Sequence, residues 1–301
     1  MEGVRVFHVD AFTTTAFGGN PAGVVPNAEG LNKKEMQLIA KELNLSETAF
    51  LTTSSSSQAD YQIQFFTPTK EIDFCGHATV GAAWVLGTMY QLATKKDQVV
   101  FETNIGIVPV QFMVENDNLH SVLMTQVEPS VKTISTDLTE LVRYVGIKES
   151  DIDSQYPVRL GYTGNWHLLI PVKSRNAVDE ASPKLDLLKE HNERHHISTT
   201  HLFTFDCEEE NCLVYTRDFA PAFGINEDPV TGSANGALSG YFILEGILDV
   251  SKDHHFQIAQ GHSMGRPGFL QVIIKVGNDR PVIQVGGSAV ITIAGNLLAR
   301  R

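Results

Sequence analysis

Residues 75–87, CGHATVGAAWVLG, and residues 231–246, TGSANGALSGYFILEG, are two versions of one pattern. In each, a small polar cluster (Gly-His-Ala-Thr, Gly-Ser-Ala-Asn) opens an apolar run rich in Ala and Gly. Neither run has a polar face, and a helix that is apolar nearly all round belongs at the centre of a domain. A Phe-x-Pro lies upstream of both, as Phe66-Thr67-Pro68 and Phe219-Ala220-Pro221. A second pair of segments matches as well: Gly19-Asn20-Pro21-Ala22-Gly23-Val24-Val25 and Gly164-Asn165-Trp166-His167-Leu168-Leu169-Ile170. The offset is 145 residues for this pair (164 minus 19) and 156 for the helix pattern (232 minus 76). Two separate motifs at a near-constant offset mark an internal duplication.

Around the helices, β-branched and aromatic residues gather in VRVFHVDAF, AGVVP, TAFLTT, YQIQFFT, QVVFET and IVPVQFMV, which read as strands. Residues 32–43, NKKEMQLIAKEL, place Met36, Ile39, Ala40 and Leu43 at helical spacing behind Asn32 as a cap. The expected fold class is therefore α+β. Two similar lobes arise from the duplication, each a curved sheet around one buried helix.

The chain has 301 residues, 42% apolar and 19% charged, which are globular values with room for two cores. No apolar stretch reaches the roughly 18 residues of a membrane helix, and the first residues alternate like a strand without a signal-peptide layout. A net charge of -12 excludes a nucleic-acid binder, which needs clustered Lys and Arg, but leaves room for a small anionic substrate. Cys75, Cys207 and Cys212 are an odd set of thiols in a long chain, so a reducing cytoplasm is the simplest location.

The chemistry concentrates at the two helix starts. A helix N-terminus presents unpaired N–H groups and partial positive charge, and so attracts anions. Gly76 and Gly232 open both helices and let a ligand approach the backbone. A carboxylate held there would have its neighbouring carbon activated for loss of a proton.

The strings GGNPAGVV (18–25), LSETAFL (45–51), DFCGHATVGAAW (73–84), EDPVTGSANGAL (227–238) and GRPG (265–268) resemble the phenazine-biosynthesis PhzF-like family. More distantly they resemble diaminopimelate epimerases and proline racemases. The resemblance implies a diaminopimelate epimerase-like fold, each lobe a β-barrel around its helix. One lobe takes residues 1–118 plus about 288–301 and the other 119–287, with the active site in the cleft between them. It implies a homodimer, no cofactor and no metal. It also implies a glutamate that removes a proton from a dihydro-hydroxyanthranilate and returns it to another ring carbon. By motif, that general acid/base corresponds to Glu47, with His77 and Asp228 as catalytic partners. Gly76 and Ser233 would bind substrate, and Gly232, Asn20 and Asp73 would line the same site.

Each residue carries a physical expectation. Glu47 should have a raised pKa from burial in an apolar site. His77 should be neutral, since a helix N-terminus disfavours an imidazolium. In cysteine-based epimerases one thiol precedes each helix-start glycine, whereas here Cys75 precedes Gly76 but Thr231 precedes Gly232. Cys75 then reads as a small buried residue. His191 and His195 read as a solvated helix end, and Cys207 and Cys212 flank an exposed acidic turn, Glu208 to Glu210. The expected function is proton-transfer isomerisation of a small carboxylic acid. The alternatives are a Cys75-dependent racemase or epimerase, and a non-catalytic binding protein on the same fold.

Overall fold

The structure is a computed structural model describing residues 3–277 and 280–298. The chain divides into two compact units, Met1–Thr125 with Gly286–Arg301, and Gln126–Val285.

The first unit contains β1 (Val4–Ala11), β2 (Asn20–Val25), α1 (Lys33–Leu43), β3 (Glu47–Thr53), β4 (Tyr61–Phe66), β5 (Glu71–Ile72), α2 (Gly76–Met89), β6 (Gln98–Thr103), β7 (Gly106–Glu115) and β8 (Asn118–Thr125). The second runs through β9 (Ser130–Lys132), α3 (Leu138–Val145), β10 (Arg159–Tyr162), β11 (Trp166–Pro171), α4 (Arg175–Asp179), α5 (Leu185–His195), β12 (Thr199–Thr204), β13 (Cys212–Phe219), α6 (Gly232–Leu244), β14 (His254–Gln260) and β15 (Gly268–Val276). After β16 (Pro281–Gly287), β17 (Ala289–Leu297) returns to pair antiparallel with β1. The class is α+β. A boundary after residue 118 would fall just inside β8, which pairs with β7 as one antiparallel hairpin; the change of unit falls after Thr125.

The duplication is visible in the pairing. In the first unit β1–β2 is antiparallel, β2–β3 parallel, β3–β4 antiparallel, β4–β6 parallel and β6–β7 antiparallel. In the second, β10–β11, β11–β12, β12–β13, β13–β14 and β14–β15 follow the same order of directions. A parallel step needs a crossover, usually a helix. Those crossovers are α1 and α2 in one unit, and α4 with α5, then α6, in the other.

Both apolar helices are enclosed. α2 packs against β1, β2, β3, β7, β8 and β17, and α6 against β9, β10, β11 and β15. α1 lies outside, with Met36, Ile39 and Ala40 facing Val25, Phe50 and Phe66. Its start at Asn32 is a full capping box with Glu35, and it ends at Asn44, left-handed at φ 51°.

Two expectations are corrected. His191 is buried rather than solvated, 3.0 Å from Thr136 Oγ1 through its Nε2, because the inner face of α5 turns it toward α3. Cys207 and Cys212 form a disulfide across the turn between β12 and β13. Among the described residues no helix is long and apolar enough to cross a membrane.

Close packing explains part of the glycine content of the central helices. A Cβ on Gly240 would sit 2.4 Å from Pro129 Cβ, whereas one on Gly81 would meet Val9 at an ordinary 3.6 Å. Gly240→Ala should therefore destabilise by about 1–3 kcal/mol through overpacking. Gly81→Ala should stabilise by about 0.5–1 kcal/mol through helix propensity. Denaturant unfolding of both variants checks the opposite signs.

Candidate active site

In the first unit, the left-handed cap at Asn44 turns the chain through Leu45 and Ser46 into β3, whose first residue is Glu47. Parallel pairing puts Glu47 in register with Ala22 of β2. From there its Oε2 lies 3.2 Å from Nε2 of His77, in the first turn of α2. The two side chains are 18% and 9% exposed, so the contact is shielded but reachable. Ser46 Oγ is 3.5 Å from the same ring nitrogen, and Cys75 Sγ lies 3.4 Å from His77 Nδ1. The free, buried Cys75 is thus part of the cluster and more than filler for the core.

The charges differ from expectation. Burial acts to raise the Glu47 pKa, but bonding and attraction to His77, with help from Ser46 and Cys75, outweigh it and hold the carboxyl below its ordinary value. For His77, burial acts against the charged ring. The Cys75 sulfur and the Glu47 carboxylate together overcome that and raise it well above 6.5. Burial pushes the Cys75 thiol up, against the pull of the neighbouring His77 ring. A carboxylate beside an imidazolium is therefore the resting state. The helix-end argument for a neutral His77 fails because a full opposite charge at 3.2 Å outweighs the partial charge of one helix terminus.

Gly76 starts α2, and a Cβ there would meet only Met124 Cε at 3.7 Å. Packing thus does not demand glycine at this position; the bare backbone faces available space. Asn20 is fully buried at the start of β2, two residues before the register partner of Glu47. Asp73 is exposed in the segment between β5 and α2.

In the second unit, Gly232 is buried at the start of α6 and Ser233 is half-buried, its carbonyl accepting from Thr163 Oγ1 at 3.1 Å. Asp228 is half-buried, bridged through its backbone to Asp218 of β13. Its Oδ2 lies 2.6 Å from the hydroxyl of Thr231, the N-cap of α6. That hydroxyl is also 3.0 Å from Asp218 Oδ2 and accepts from Gln260 Nε2 at 3.1 Å. The single hydroxyl proton can be given to only one of these two carboxylate oxygens at a time, so Thr231 is shared between Asp218 and Asp228. Thr231 occupies the place that Cys75 has before α2, and it is fully engaged as a hydrogen-bond bridge.

Behind this bridge is a fully buried network that sequence reasoning missed. Asp218 Oδ1 accepts from Thr199 Oγ1 at 2.6 Å and lies 2.9 Å from His201 Nδ1. Asn235 Nδ2 donates to the Thr231 carbonyl and to Gln260 Oε1, which turns Asn235 Oδ1 toward His201 Nε2 at 3.2 Å. Both contacts of the ring are bonds only if Nε2 carries a hydrogen and another lies between Nδ1 and Asp218. His167, whose Nδ1 is 2.7 Å from Thr199 Oγ1, is pushed down to about 4 by burial. The available signal was Thr-Thr-His in a strand with every residue buried, cross-strand from Asp218.

The Glu47–His77 pair has a pH signature. A lowered Glu47 contributes stability above its ordinary 4.5 that is lost as pH falls through its folded value. A raised His77 contributes stability below its ordinary 6.5 that is lost as pH rises through its much higher folded value. The stability lost in His77→Gln should therefore be greatest between pH 4.5 and 6.5 and shrink on either side. Thermal unfolding of both proteins across pH checks this.

A sequence profile of the Phenazine biosynthesis-like protein family matches residues 9–295. An uncharacterized isomerase of Clostridium acetobutylicum is 35% identical over 298 residues, covering 98% of each chain. The trans-2,3-dihydro-3-hydroxyanthranilate isomerase of Pseudomonas chlororaphis is 29% identical over 87% of each chain. The crystal structure of a PhzF-family phenazine biosynthesis protein from Bacillus anthracis superposes with a TM-score of 0.89 at 32% identity, covering 99% of this chain and 100% of that one. With the sequence matched almost end to end and the fold shared at that level, the chain belongs to the phenazine biosynthesis-like (PhzF) family of isomerases.

Proposed function

We propose that this isomerase moves a proton on a small carboxylic acid without a cofactor, with Glu47 as the general acid/base. The observation that carries the reading is the Glu47–His77 contact at the start of the buried helix α2. Glu47 is held there as a carboxylate, ready to accept a proton. As it does so, its hold on His77 loosens, and the imidazolium is freed to bond charge developing on the substrate. The N–H groups at the start of α2 add to that stabilisation, since they carry partial positive charge without needing to reorganise. Return of the proton from Glu47 to a second carbon restores the resting pair and completes an isomerisation. Asp228 and Ser233 are the substrate-facing groups proposed for the second unit, with Asp228 held by Thr231.

The substrate class follows the carboxylate-binding character of a helix start together with the named activity of the Pseudomonas relative. Deuterium uptake from heavy water into trans-2,3-dihydro-3-hydroxyanthranilate and a panel of cyclic amino acids tests both parts. The native enzyme should exchange one of these, and Glu47→Gln should slow exchange by at least about 100-fold, the usual contribution of a general base. Unchanged exchange in Glu47→Gln would move the base elsewhere. The pH–rate profile should fall on the acid side as Glu47 is protonated, below 4.5, and on the alkaline side as His77 loses its proton, well above 6.5. The alkaline limb should disappear in His77→Gln.

A further inference from the structure

Glu47, Cys75 and His77 supply a carboxylate oxygen, a sulfur and an imidazole nitrogen that all lie within 4.8 Å of one another. That is the donor set of a three-ligand zinc site with an open fourth position. The spacings suit it. Metal–ligand bonds of about 2.0–2.3 Å at tetrahedral angles separate neighbouring donor atoms by roughly 3.3–3.8 Å. Here His77 Nε2 is 3.2 Å from Glu47 Oε2 and 3.9 Å from Cys75 Sγ.

The framework also holds the three donors in place. Cys75 is the N-cap of α2 and His77 lies one residue inside it, while Glu47 is fixed by the register of β3 against β2. Thr79 Oγ1 donates to the Cys75 carbonyl at 2.7 Å and locks the first turn. The other cluster of similar composition, Cys207, Glu209 and Cys212, is differently placed. Its sulfurs are joined in a disulfide, and Arg175 Nη1 holds both Glu209 oxygens at 2.8 and 2.9 Å.

We propose that Glu47, Cys75 and His77 form a binding site for a thiophilic divalent cation such as Zn²⁺ or Cd²⁺, and that its occupancy inhibits the enzyme. On binding, the Cys75 thiol and the protonated His77 ring each release a proton to solvent, and the metal takes the Glu47 oxygen that would otherwise accept a proton from substrate. Inhibition is thus competition between a metal and a proton for one carboxylate. The binding itself stands apart from the proposed reaction.

The test is titration of the native protein with Cd²⁺ alone, followed by the near-ultraviolet sulfur-to-metal charge-transfer band and by calorimetry. The expected result is a saturable band at one Cd²⁺ per chain, reversed by a chelator. Cys75→Ser should abolish the band, and His77→Gln should weaken binding at least tenfold while keeping the thiol. Circular dichroism confirms that each variant is folded. The double variant Cys207→Ser/Cys212→Ser should bind as the native protein does. No saturable band in the native protein, a band that persists in folded Cys75→Ser, or one lost only in the double variant would each overturn the proposal. Because the readout is spectroscopic, failure here leaves the role of Glu47 untouched, and failure of substrate exchange leaves this site untouched.

Discussion

A helix that is apolar on every face must be surrounded, and this single constraint organises the protein. α2 has ten buried residues between His77 and Gly87, and α6 is buried from Gly232 to Ile243 with the single exception of Ser233. Neither has a face for solvent, so each unit wraps its sheet about one helix. Small residues are a partial corollary: Pro129 takes up the space beside Gly240, where a Cβ would not fit. Such helices have polar ends that cannot simply be left to water, because an unpaired buried donor costs about 1–3 kcal/mol.

The two units satisfy those ends in different ways. Before α2 stands Cys75, and the polar work is done by an ion pair between His77 and Glu47. Before α6 stands Thr231, tied to Asp218, Asp228 and Gln260 by neutral and charge-assisted bonds. One duplicated scaffold has thus acquired a partly reachable acid–base pair in one copy and a buried network, with Asp228 at its edge, in the other. A symmetric pair of thiols would support removal and return of a proton by two equivalent groups. With Cys75 in one copy and Thr231 in the other, the proton traffic proposed here rests on a single carboxylate.

The cluster at α2 also shows how ion pairing and burial compete. Burial alone would neutralise both Glu47 and His77, raising one and lowering the other. The Cys75 sulfur and the Glu47 carboxylate reverse the direction for His77, and the contact with His77 reverses it for Glu47. In the proposed reaction, the same contact that keeps Glu47 ionised is the one that loosens as the carboxylate takes up a proton. The same compact set of oxygen, nitrogen and sulfur donors is what makes the site attractive to a soft cation.

Much was legible from the residues in order. The duplication, the two buried helices, the cap at Asn32 and six strands of the first half follow from periodicity and turn chemistry, which act over a few residues. The string Leu45-Ser46-Glu47 also put the glutamate at a helix-to-strand corner, where the structure has it. What tertiary structure alone decided were contacts between residues distant in the chain and the charges that depend on them. His77 lies 30 residues after Glu47, so neither the depressed carboxyl nor the raised imidazole is a property of local sequence. His201 and Asp218 meet through cross-strand register, and Cys207 meets Cys212 because the turn between β12 and β13 closes. Periodicity sets which face of an element is buried; which proton resides on which atom is set by the through-space neighbours that burial brings together.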